Sequence, residues 1–100
     1  SAVPYNLESG RYLPINIEVD SDISTLDGQL IRIDGKFTLD QPASNVTIVA
    51  VALDEQGNLV GLRCWQPSLS EPAKEGEFQI DLAAVSGKIT EYLLFAEAQP

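Results

Sequence analysis

Asp20-Ser-Asp22 and the nearby Asp27-Gly28 form the densest group of acidic oxygens in this 100-residue chain. Calcium takes roughly six to eight oxygen ligands, and loops between β-strands can supply them. Asp20, Asp22 and Asp27 are therefore the candidate metal ligands. Their spacing departs from an EF-hand loop, which sets acids at alternating positions ahead of a glycine and a later glutamate. Asp54-Glu-Gln-Gly57-Asn58 departs in the same way. Without a metal, both groups read as loop residues that cap turns. A second chemistry is aromatic. Trp65 with Tyr12 and Tyr5 could present flat apolar rings to the apolar face of a sugar. The competing role for Trp65 is to close one end of a hydrophobic core, as expected of a side chain that is highly buried on average.

Histidine is absent and Cys64 is the only cysteine. A His-based triad, a His-ligated metal, a zinc–thiolate cluster and an internal disulfide are all excluded by stoichiometry. Cys64 lies beside Trp65 in an apolar stretch and is expected to be a buried, inert thiol. Arg63 should point to the opposite side of the strand and do little to activate it. Acids are plentiful, but no pair is singled out for glycoside hydrolysis. The glycines are isolated and form no phosphate-binding loop. No cofactor is expected, and an enzyme is the least favoured class.

The formal net charge is −9, with acids spread from Glu8 to Glu97. Nucleic acid and anionic lipid would meet repulsion over most of such a surface. The even spread is what solubility alone would produce. No apolar run approaches the roughly 20 residues needed to span a bilayer. Length and composition fit one domain over 1–100, a monomer in isolation, with residues 1–12 as a lead-in or short edge strand. The irregular start and abrupt stop suggest a domain cut from a larger polypeptide.

The elements that must position these groups are strands. Leu13, Ile15, Ile17 and Val19 alternate with polar residues, and Pro14 places the start of that strand at a sheet edge. Residues 21–28 read as loop with room for one helical turn. In 30–39, Ile31, Ile33, Gly35, Phe37 and Leu39 share the core-facing side, and mid-strand Gly35 signals a bulge or a close backbone approach. Residues 40–44 read as a turn around Pro42. Val46 to Leu53 is apolar almost throughout and reads as a central strand buried on both faces. It turns through Asp54–Asn58 into a return strand over 59–65. The stretch 66–75, with Pro67 and Pro72, reads as a crossover between sheets. Phe78, Ile80 and Leu82 face inward on the next strand, and 83–87 is a connection. In 89–98, Tyr92, Leu94, Ala96 and Ala98 share one side, with Leu93, Phe95 and Glu97 on the other. Six to seven strands and no sustained helical period give an all-β, two-sheet antiparallel sandwich with a proline-containing crossover.

Over residues 30–98 this order of signals resembles the bacterial Ig-like domains named for an FxLYD motif. Ile33-Asp-Gly35, Pro42-Ala-Ser-Asn45, Val46 to Asp54, Gly57-Asn-Leu-Val60, Pro72 to Phe78 and Tyr92 to Ala98 carry the likeness. The signature is degraded: Ala52-Leu53-Asp54 stands for Leu-Tyr-Asp, and Ala50 for the leading Phe. The resemblance implies an Ig-like or fibronectin-III-like sandwich. It implies an accessory, spacer or protein-interaction module of an exported or cell-surface protein, contacting neighbouring domains or another protein. Tyr92 then takes the part of a tyrosine corner, tying a loop to the start of a late strand. The alternatives are a carbohydrate-binding module using Trp65, Tyr12 and Tyr5, and a calcium-stiffened adhesion domain.

Overall fold

The computed structural model describes residues 13–100 and the backbone of residues 2–4. Among the described residues, seven strands, β1 (Ala2–Pro4), β2 (Ile15–Thr25), β3 (Leu30–Ala43), β4 (Asn45–Leu53), β5 (Leu59–Trp65), β6 (Ala73–Ala83) and β7 (Glu91–Gln99), pack as an all-β sandwich. One sheet has the order β1-β7-β4-β5 and the other β2-β3-β6. All pairings are antiparallel except β1 against β7. The hairpins β2–β3 and β4–β5 stay within a sheet. The chain crosses between sheets at Ser44, along 66–72 and along 84–90.

The inner faces follow the alternation of the sequence. Val46, Ile48, Ala50 and Ala52 of β4 and Leu94, Ala96 and Ala98 of β7 are buried. The alanines among them are complemented by the large Ile33, Phe37, Ile80 and Leu82 of the other sheet. Large against small lets two twisted sheets interdigitate at interior density. Each large aliphatic buried this way contributes about 1.5–3 kcal/mol.

Gly35 is a close approach. It pairs with Phe78, and a Cβ there would meet the Glu18 carbonyl oxygen and lie 2.6 Å from Cζ of Phe78. The arrangement is reciprocal: Phe37 pairs with Gly76, whose Cβ would lie 2.6 Å from Cζ of Phe37. Each ring lies over the glycine opposite it, which covers backbone that has no side chain of its own.

Several boundaries differ from the sequence expectation: β6 begins at Ala73, inside the stretch read as crossover, and β7 begins at Glu91 rather than at 89. β2 does not stop at Asp20. A bulge between Val19 and Ser21 shifts the register, and the strand runs on to Thr25 opposite Leu30. The extra residue inverts the alternation, so Asp22 and Ser24 take the side of Ile33 and Ile31. The helical turn expected here is present as the short 3-10 turn Leu26–Gly28. Residues 40–43 are strand rather than turn, carrying β3 to the sheet crossing at Ser44. The outer side chains of β4 are half-buried rather than covered, because only their strand neighbours shield them among the described residues.

Candidate functional site

The three acids proposed as metal ligands lie along one hairpin but are not brought together. Asp20 sits 3.7 Å from Nζ of Lys36, Asp27 pairs with Lys88 at 3.3 Å, and Asp22 accepts a 2.6 Å hydrogen bond from the Tyr92 hydroxyl. Among the described residues no group of three or more acids or cysteines is placed to hold a metal ion.

Tyr5 and Tyr12 lie outside the described residues. Trp65 is half-buried and packs on the core, with its ring centroid 6.2 Å from Phe37 and 5.9 Å from Phe78 at steep interplanar angles. Its two ring partners are the phenylalanines that lie over Gly76 and Gly35. Trp65 thus closes the core where β5 faces β3 and β6, the structural role expected of it.

The Tyr92 hydroxyl donates to a carboxylate on β2, in the other sheet. Burial, and then the bond to Asp22, push its phenol up to about 12. The pair closes one end of the sandwich, beside a depression lined by Ser24, Ile31, Ile89 and Thr90.

Asp54 is a turn former. Its carboxylate accepts the backbone N–H of Asn58 at 2.8 Å and of Gln56 at 3.0 Å. The bond from Asn58 is the main reason its carboxyl is held below the usual range. Gly57 closes the turn at φ +83°. On the outer face of the three-stranded sheet, Arg32 holds Asp81 at 2.9 Å and lowers its carboxyl through that hydrogen bond.

The sequence reading missed the outer face of the four-stranded sheet. Cys64 is exposed, which corrects its expected burial. It pairs with Val49, whose side chain alternates with the buried Ile48 and Ala50, so both point outward. The register builds apolar rows across three strands: Leu62, Val51 and Leu93, then Cys64, Val49 and Phe95. Leu59 and Leu53 extend the patch towards the hairpin turn. Leu59 and Leu62 are each 60% exposed, and their place beside these rows makes the apolar surface contiguous rather than scattered. A shallow depression of about 370 Å³ lies over Thr47, Val49, Phe95 and Glu97. The signal is in the sequence, as the absence of a polar side to Val46–Leu53, since an exposed apolar face produces the same run as a face that is covered.

With this geometry in view, the chain matches no family model, and neither a curated protein nor a solved structure is significantly similar to it. No helix among the described residues is long and apolar enough to cross a membrane.

Proposed function

We propose that this chain is a non-catalytic, Ig-like module of an exported or cell-surface bacterial protein, acting as a protein-interaction or spacer domain. The observation that carries the reading is the apolar outer face of the four-stranded sheet, with Leu62, Val51 and Leu93 in one row and Cys64, Val49 and Phe95 in the next. Contiguous apolar surface on a folded domain marks a contact site for another protein surface. The two-sheet architecture supports the Ig-like class, and Asp54 in its turn is the retained element of the FxLYD resemblance. The packing of Trp65 against Phe37 and Phe78 draws its ring into the core and weighs against a sugar platform.

A photo-reactive amino acid placed at Leu62, and separately at Glu75 on the other sheet, tests this in the producing cell. Cross-links from position 62 to a single protein or to a neighbouring domain, with none from position 75, are expected. Equal and diffuse labelling from both positions would refute an interaction role for this face.

A further inference from the structure

We infer that the outer face of the four-stranded sheet docks a protein surface on which an aliphatic ridge is flanked by lysine or arginine; the inference rests on the interaction reading above. The sheet register decides the chemistry. Glu97 pairs with Thr47, one row beyond the Val49–Phe95 pair, and Glu91 pairs with Leu53, one row beyond Val51–Leu93. Alternation with the buried Leu94 and Ala96 puts both glutamates on the outer side. The apolar rows therefore lie between two carboxylates, and no lysine or arginine stands at an outward position of β4, β5 or β7 among the described residues.

That pattern selects against a second copy. Two such faces would bring four glutamates together at the rims of one interface between molecules of net charge −9. An apolar partner without flanking charge would desolvate Glu91 and Glu97 with no compensation. A basic-flanked ridge satisfies both ends and buries the rows between them. The same field would speed its approach at low salt.

Two synthetic peptides of equal length, one an amphipathic leucine–lysine sequence and the other its leucine–glutamate counterpart, probe this by fluorescence anisotropy. The leucine–lysine peptide is expected to bind and the leucine–glutamate peptide not. Leu62→Ser, which leaves the charge unchanged, should weaken binding about tenfold, as should Glu91→Gln with Glu97→Gln. Glu75→Gln with Glu77→Gln removes the same charge from the other sheet and should leave the affinity unchanged. Equal weakening by the two charge pairs would reduce the effect to net charge and overturn the inference. So would binding of neither peptide, or a dimer in sedimentation that Leu62→Ser dissolves. Equal binding of both peptides would overturn the charge preference while leaving the interaction reading intact.

Discussion

The Tyr92 hydroxyl donates to Oδ2 of Asp22 at 2.6 Å, joining β7 of one sheet to β2 of the other. The bulge after Val19 makes this bond possible, because it turns Asp22 to the inner side of its strand. A hydrogen bond to a charged acceptor contributes about 1.5–3 kcal/mol when shielded, and exposure of Asp22 reduces that here. Tyr92→Phe is expected to cost about 1 kcal/mol in denaturant unfolding. Loss of no stability would mean that solvent already satisfies Asp22.

The same pair has a pH signature. The folded phenol lies at about 12 against an ordinary 10.0. A pKa raised by folding gives stability that is complete below pH 10 and is lost as the pH rises through 12. Ultraviolet titration should therefore show one tyrosine ionising late, and Tyr92→Phe should remove that phase. A titration with no tyrosine ionising later than 10.0 would contradict the raised phenol of Tyr92.

Gly35 has no room for a methyl group, since its Cβ would meet both the Glu18 carbonyl and the Phe78 ring. Gly35→Ala is expected to destabilise by about 1–3 kcal/mol, seen as a lower denaturant midpoint at unchanged slope. Gly57→Ala serves as the contrast. It meets nothing within 4 Å, and its cost comes from the positive φ alone.

Leu26 and Asp27 both adopt left-handed backbone, at φ 53° and 56°, in the tight β2–β3 connection. Leucine gains little there, since its side chain is 68% exposed. Leu26→Asn should raise stability by about 0.5 kcal/mol, because asparagine enters this region more readily. A lower melting temperature for the variant would show that the leucine side chain holds the turn.

Where one face of a strand is buried, the sequence was a good guide. Ile33, Phe37 and Leu39 on β3 and Phe78, Ile80 and Leu82 on β6 alternate as the core requires. The far half of β2 left no such trace. Ser21 to Thr25 are exposed, so that segment is strand because β3 offers it backbone partners, without apolar burial to announce it. The Tyr92–Asp22 bond depends on a register shift and links residues far apart in the chain, so no local pattern could announce it. Cys64 departs from its expected burial for a different reason: its apolar neighbourhood is itself on the outside of the sheet.

The exposure of Cys64 has a simple chemical check. Cys64 should react with a thiol reagent in the native protein at a rate close to that in denaturant, because it is exposed on edge strand β5. Protection by more than about tenfold would place it under a covering element.

The outer sheet face as the docking surface is tested most directly by mapping amide chemical shifts during titration with the leucine–lysine peptide. Perturbations should centre on Val49, Val51, Leu62, Leu93 and Phe95, between Glu91 and Glu97. The other sheet carries Glu18, Asp20, Asp34 and Glu77, so a peptide drawn by charge alone would gather there instead. Perturbations centred on those acids, with β4, β5 and β7 unchanged, would contradict the assignment.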